Sequence, residues 1–390
     1  MDGSRLYLDY NASAPLRPEA REAMVAALAE AGNASSVHAE GRAARKRIED
    51  ARRAIADLVG GDPRRVTFTS GGSEANATVL TPDWTFNGRP HRAAALLVSA
   101  GEHPSVLAGG RFGPADIHEI PLDSDGVVRL DVLGRMLEPL AADGLRPLVS
   151  VMLANNETGV IQPVADIARL VHDAGGLVHT DAVQAAGRIA LDLASLGVDV
   201  LTLSAHKIGG PQGVGAVVRA HDDIVFAPLI AGGGQEKRLR AGTESVAAIA
   251  GFGAAAAVAR DDLALAAMWE GWRDGLARTI SDCGPTAVVF GVGTSRLPQT
   301  LCIGIEGIAA ETLVIALDLE GVSVSSGAAC SSGKVAPSHV LAAMGVPVEV
   351  ARTAIRLSLG WQSDERSLDL FAKRWVRVLE HVAPGHIRAA

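Results

Sequence analysis

Cysteine is scarce in this 390-residue chain. There are three, and they stand far apart at Cys283, Cys302 and Cys330. No CxxC pair occurs, which excludes a zinc knuckle and a disulfide framework. A reducing cytoplasm is the setting that fits, and there a lone cysteine is either an inert small core residue or a nucleophile. Long apolar runs are also missing. The longest, Val246 to Ala259, has 14 residues rich in Ala and Gly. That is too short to cross a bilayer and predicts a buried helix. The start, MDGSRLYLDYNAS, lacks the basic-then-apolar pattern of a signal segment. Net charge is -8. The one cluster of basic residues, GRAARKRIEDARR, reads as a solvated helix face, so neither nucleic acid nor a membrane is an expected partner. There is no internal repeat and no low-complexity linker.

What is present suits a large buried core: 48% of residues are hydrophobic and 21% charged. The length exceeds one ordinary compact domain, so two are expected. Residues 37–59 carry Ala44, Ile48, Ala51, Ile55 and Leu58 at steps of three and four, the spacing of an amphipathic helix. Beyond it lie short β-branched runs: VTFTS (66–70), ALLVSA (95–100), LVSVML (148–153), LVHT (177–180) and VLTLS (200–204). Most are separated by helix-patterned segments such as VADIARLVHDAG, which Gly175 closes. The alternation predicts an α/β fold around a mostly parallel sheet covered on both faces. After about residue 250 the texture changes. An Ala-rich stretch, AVVF, LCIGIEG, a helix over Glu311–Glu320, VSVSS and a helical C-terminus predict a smaller α/β domain.

In open parallel sheets, ligands bind beyond the carboxyl ends of the strands. VTFTS leads into GGSEAN. This turn either offers backbone N–H groups to an anion at a helix N-terminus or is a plain junction with Ser73 as N-cap. ALLVSA leads into GEHPSV with His103, and LVSVML into ANNETG with Asn155 and Asn156. LVHT leads into DAVQ with Asp181 and Gln184, and VLTLS into AHK with His206 and Lys207. Each alone has an ordinary reading: a satisfied histidine, an Asn-Asn turn, an Asp helix cap, a lysine on a solvated face. Together they match the needs of pyridoxal phosphate. A lysine forms a Schiff base, an aspartate keeps the ring nitrogen protonated so that the ring draws electrons, and a cup holds the phosphate. The glycines behind Lys207 let the backbone turn sharply.

Several stretches, in this order, resemble the cysteine desulfurases of the class V aminotransferase fold: YLDYNASAPLRPEA, NASSVHAEGR, FTSGGSEAN, GEHPSVL, LANNETGVIQP, HTDAVQAAG, LSAHKIGGPQGVGA, GGGQEKRLRAGTES, SVSSGAACSSGKVAPSHVL and IRLSLG. They cover nearly the whole chain. The resemblance implies a fold type I pyridoxal phosphate enzyme, with a mostly parallel seven-stranded sheet in a large domain over 15–250. A small domain, formed by 1–14 and 251–390, would carry a cysteine loop at about 323–336. It implies Lys207 as the Schiff-base lysine, Asp181 on the ring nitrogen, Gln184 on the phenolic oxygen, and His103 over the ring moving protons. Gly72, Ser73, Ser204 and His206 would hold the phosphate, and Thr243 would reach the phosphate of a partner subunit in a homodimer. Asn156 would lie near the phenolic oxygen and the substrate carboxylate. Arg356 would clamp that carboxylate, with Asn33 at the substrate mouth. No metal is implied. Cys330 would take sulfur from L-cysteine as a persulfide, leave L-alanine, and pass the sulfur to an iron–sulfur scaffold or another acceptor protein.

The residues around Cys330 suit that role. Positions 325–333 hold four serines, two glycines and two alanines besides the cysteine. Such a segment packs no core and reads as a loop presenting a thiol. Cys302, in an apolar run, is expected in the core, and Cys283 is expected to have no role. SSGAAC suits the class with the longer cysteine loop. Ser73 stands where threonine is frequent and Ala328 where serine is frequent. Neither change threatens the chemistry. A selenocysteine lyase, an aminotransferase or a kynureninase-like hydrolase would share the cofactor residues, but a transaminase has no use for Cys330. A non-catalytic scaffold-binding subunit would have lost Lys207, Asp181 or Cys330, and all three are intact.

Overall fold

The strand Val200–Ser204 is followed after only ten residues by the strand Gly215–Arg219. A parallel return needs a longer crossover, so the second strand runs back antiparallel beside the first, with Gly215 opposite Ser204. The computed structural model describes residues 5–283, 286–327 and 337–384. Its main sheet has seven strands in the order Val66–Thr69, Gly215–Arg219, Val200–Ser204, Leu177–Asp181, Pro147–Ser150, Ala95–Ser99, Ile117–Ile120. From Val200–Ser204 to the far edge all pairings are parallel. Six of the seven strands are buried along their whole length. This explains their unbroken apolar runs. The seventh, Ile117–Ile120, is an edge strand with two exposed residues, and its polar IHEI sequence gives no run to read.

The helix Ala39–Val59 buries Ala44, Ile48, Ala51, Ile55 and Leu58 and ends at Gly60 in the left-handed region. It packs against the helix Val246–Asp261, the Ala- and Gly-rich run. A Cβ on Gly253 would lie 2.5 Å from the Ala51 Cα and 2.6 Å from its Cβ. Small residues are needed there because the two backbones cross in contact. Among the described residues no helix is long and apolar enough to cross a membrane.

A second core gathers Leu6 and Leu8 with Leu276, Ile303, Leu313 and Trp375. It lies on an antiparallel sheet of four strands, in the order Ala287–Val289, Thr300–Ile305, Ala354–Ser358, Ser325–Ser326. The VSVSS run splits here. Val322–Ser323 pairs in parallel with Leu6–Tyr7, while Ser325–Ser326 pairs with Ile355 and Arg356. Cys302 sits in this sheet fully buried, and burial pushes its thiol well above the usual thiol range. Cys283 is half-buried at the end of the helix Ala266–Asp282. Cys330 lies outside the described residues.

Gly253→Ala is expected to lower stability by about 1–3 kcal/mol, because backbone rather than a flexible side chain must move. Urea unfolding checks this. A midpoint equal to the parent's would mean the two helices do not cross at this residue.

Candidate active site

The strand ends of the main sheet open onto a cavity of about 260 Å³. Ten of the sequence-predicted residues line it: Gly72, Ser73, His103, Asn156, Asp181, Gln184, Ser204, His206, Lys207 and Arg356. Lys207 ends a single tight turn, Ala205–Lys207, directly after its strand. Gly209, with φ 85°, carries the chain onward. The Lys207 Nζ donates to the carbonyl oxygens of Asn11 at 2.6 Å and Ala12 at 2.8 Å. Gln184 Nε2 donates to the same Asn11 oxygen at 3.0 Å.

Asp181 is the last residue of its strand. Its Oδ1 accepts from the Val183 N–H at 2.9 Å and its Oδ2 from Asn76 Nδ2 at 2.8 Å. Both carboxylate oxygens are thus fixed in place by donors. Two residues earlier on this strand, His179 is fully buried between Ser150 Oγ at 2.8 Å and Thr202 Oγ1 at 3.0 Å. Burial lowers its pKa to about 3.

His103 caps the short helix Pro104–Leu107, its Nδ1 accepting from the Ser105 N–H at 3.1 Å. A backbone N–H only donates, so Nδ1 is bare and the neutral ring carries its proton on Nε2. Burial lowers the His103 pKa, and the Lys207 charge adds to this against the pull of Asp181. His206 falls to about 4 for the same first reason, burial, helped by Lys207.

The helix Gly72–Val79 is capped by Gly71, not by Ser73, which lies inside its first turn. Its leading N–H groups are thus available to an anion. A Cβ on Gly72 would stand 3.3 Å from both Ser204 Cβ and Val183 Cγ2, so glycine keeps this cradle from being crowded. Glu74 in the same turn pairs with Arg240 at 2.9 Å and so ties in the segment that leads to Thr243.

Arg356 is buried. Its Nη1 donates to the Asn156 oxygen at 2.9 Å and its Nη2 to Asp9 Oδ1 at 2.8 Å. Its Nε has no hydrogen-bond partner among the described residues. A guanidinium among the residues that line the cavity suits a carboxylate ligand. Of the amide pair, Asn155 is spent on its own turn, its Oδ1 accepting from the Glu157 and Thr158 N–H groups at 2.9 Å. Thr243 and Asn33 are exposed and do not line the cavity. Cys330 cannot be placed, since it lies outside the described residues.

An amine, a carboxylate fixed by two donors, an open helix N-terminus and a guanidinium on one cavity fit the donor and acceptor needs of pyridoxal 5′-phosphate and an amino-acid substrate. Sequence reasoning left Asn11, Ala12, Asn76 and Ser105 without roles, although all four line the cavity. Glu102 and Glu157 were also passed over. Glu102 is fully buried and its Oε2 has no hydrogen-bond partner among the described residues. Burial, reinforced by Asp181, pushes its pKa well above the carboxylate range. Burial likewise raises Glu157, which accepts from Ser338 Oγ at the start of the helix His339–Ala343.

The sequence matches the aminotransferase class-V family model over residues 6–371. It is 41% identical over 388 residues to a cysteine desulfurase of Cereibacter sphaeroides, covering 97% of this chain and 95% of that one. It is 35% identical over 389 residues to the cysteine desulfurase NifS of Azotobacter vinelandii, covering 97% and 92%. The fold resembles the X-ray structure of a NifS-like protein from Rickettsia africae ESF-5, with a TM-score of 0.85 at 33% identity over 96% of this chain and 99% of that one.

The unfolded chain binds a proton at His179 near pH 6.5, which the folded one refuses until about 3. The stability this residue supports is whole above pH 6.5 and is lost as the pH falls, by up to about 1.4 kcal/mol per pH unit. His179→Gln should flatten that part of the stability–pH curve. If urea midpoints of parent and variant decline in parallel between neutral and acid pH, the ring is not held neutral in the fold.

Proposed function

The chain belongs to the class-V aminotransferase family, and on that premise we propose that it is a pyridoxal 5′-phosphate-dependent cysteine desulfurase. It converts L-cysteine to L-alanine and captures the sulfur as a persulfide on Cys330. The observation that carries this reading is the convergence of Lys207, Asp181, His103 and Arg356 on one cavity at the carboxyl ends of the sheet. The names of the relatives that match over nearly the full chain support the substrate.

The cofactor, when bound, takes up the electron pair left at the substrate α-carbon and so loosens the carbon–sulfur bond. Lys207, Asp181 and Gln184 would hold its ring, and Gly72, Ser73, Ser204 and His206 its phosphate. Arg356 receives the substrate carboxylate through its guanidinium, with Asn156 alongside. The Lys207 amine, once it leaves the Asn11 and Ala12 carbonyls, moves the α-proton. His103, on the same cavity with its Nδ1 oriented by Ser105, would move protons at the reacting centre. The Cys330 thiolate bonds to the substrate sulfur as the carbon–sulfur bond breaks, and the β-carbon gains a proton. Enzyme thiol plus cysteine thereby becomes enzyme persulfide plus alanine.

The persulfide then serves a thiol-bearing acceptor protein, an iron–sulfur scaffold or another sulfur carrier. The working form is a cytoplasmic homodimer in which Thr243 completes the partner's phosphate site, with Asn33 at the substrate mouth. The same reading divides the chain into a large cofactor domain over 15–250 and a small one from 1–14 and 251–390.

Lys207→Ala is expected to lose the yellow absorbance of the purified protein, and survival of that band would remove Lys207 from the cofactor. With L-cysteine and a reductant, the parent should yield alanine and sulfide in equal amounts. Cys330→Ser should keep the band and its response to cysteine but form no persulfide. Sulfide release from this variant at the parent rate would sink the role of Cys330.

A further inference from the structure

Beneath the cavity runs a line of hydrogen bonds that no step of the proposed reaction uses. Ser150 Oγ meets His179 Nδ1 at 2.8 Å, and His179 Nε2 meets Thr202 Oγ1 at 3.0 Å. Thr202 Oγ1 meets Asn76 Oδ1 at 2.6 Å, and Asn76 Nδ2 meets Asp181 Oδ2 at 2.8 Å. The first four side chains are at most 1% exposed, so bulk solvent does not reach them to replace a lost partner.

The protons along this line are ordered by what each group can do. The Asp181 carboxylate only accepts, so it faces the Asn76 nitrogen. The Asn76 oxygen therefore faces Thr202 and accepts its one hydroxyl proton. Thr202, having given that proton, accepts from His179 Nε2–H. His179 is then bare at Nδ1 and accepts from Ser150. The second Asn76 N–H reaches Ser105 Oγ at 2.9 Å, and that hydroxyl lies 2.8 Å from His103 Nδ1. One buried amide thus serves both Asp181 and the residue that orients His103. Were the amide to turn over, its oxygen would confront the carboxylate, and every proton back to Ser150 would have to move with it.

We propose that Asn76, Thr202 and His179 are positioning residues that hold the Asp181 carboxylate as a fixed acceptor for the cofactor ring nitrogen. This rests on the reading that Asp181 faces that nitrogen. Neither Thr202 nor His179 lines the cavity. Their effect passes through Asn76.

The test compares Thr202→Val, which keeps the shape and removes the hydroxyl, with Thr202→Ser, which restores it. The dissociation constant of pyridoxal 5′-phosphate is measured for each, together with the visible absorption of the bound cofactor. Loss of one buried hydroxyl should weaken cofactor binding about tenfold and diminish the band of the ring-protonated form, and serine should recover both to within about twofold. Asp181→Ala is run alongside. If it loses the ring-protonated band while Thr202→Val matches the parent in affinity and spectrum, the positioning role is overturned and the Asp181 assignment stands. If Asp181→Ala itself matches the parent, the assignment falls and the proposal with it. A readout on the cofactor-free parent guards against a valine variant that does not fold: the nitrogen NMR shifts of His179 should report an Nε2–H ring, and an Nδ1–H ring overturns the proposed order.

Discussion

A lysine amine drawn in from solvent needs oxygen atoms brought to it, since an ion shielded from water is costly unless it is paired or hydrogen-bonded. In this protein those oxygens are the backbone carbonyls of Asn11 and Ala12. That contact ties the start of the chain to the carboxyl end of the main sheet. Asn11 also donates through its own amide to Thr300 Oγ1 at 2.9 Å and to the Asn156 oxygen at 3.2 Å. The same short stretch therefore joins the lysine turn, the antiparallel sheet of the second core and the loop beside Arg356. Displace it and the amine, the amide and the guanidinium lose their common reference.

Charge around the cavity is arranged with equal economy. Asp181 accepts two hydrogen bonds, and the pKa of Glu102 is driven up by burial and then by Asp181. Arg356 is balanced by Asp9, whose other oxygen accepts from Ser325 Oγ at 2.9 Å. Segments without regular structure are held in the same way. Glu236, Lys237 and Arg238 all lie at positive φ, a conformation that costs side-chain-bearing residues roughly 1–2 kcal/mol each. The buried pairing of Glu236 with Arg52 at 2.8 Å, together with its acceptance of the Phe68 N–H at 2.9 Å, holds them there.

Much of this was legible in the residues, for a geometric reason. A parallel sheet delivers the turn after each strand to one rim, so GGSEAN, GEHPSV, ANNETG, DAVQ and AHK could be read as neighbours without knowing the strand order. The Val200–Ser204 strand and the helix Ala39–Val59 stand where periodicity puts them, within two residues. Asn76 was hidden because an amide inside a helix looks the same in sequence whether it faces solvent or a buried aspartate. Asn11 was hidden because its partner Lys207 is 196 residues away. The hairpin Asp83–Phe86 with Arg89–Arg92, closed by Asn87 and Gly88 at positive φ, carried the Asn-Gly turn signal and was passed over for want of an apolar run. Ser73 read as well as a cap as it did as a phosphate ligand. Only the backbone distinguishes them, by starting the helix one residue before it.

The threading of the N-terminal stretch also sets an order of events at the ribosome. Leu6–Tyr7 pairs with Val322–Ser323, and the Asn11 N–H binds Ser358 Oγ across 347 residues. At roughly 5–20 residues per second, the first dozen residues wait on the order of 17–70 s for the strands that receive them. The seven-stranded sheet can be complete by then, while Asn11 still waits for Thr300 and Ser358 to fix it beside the lysine turn. Assembly of the catalytic pocket is therefore the closing act of synthesis, and a chain truncated before residue 358 has no finished pocket to offer the cofactor.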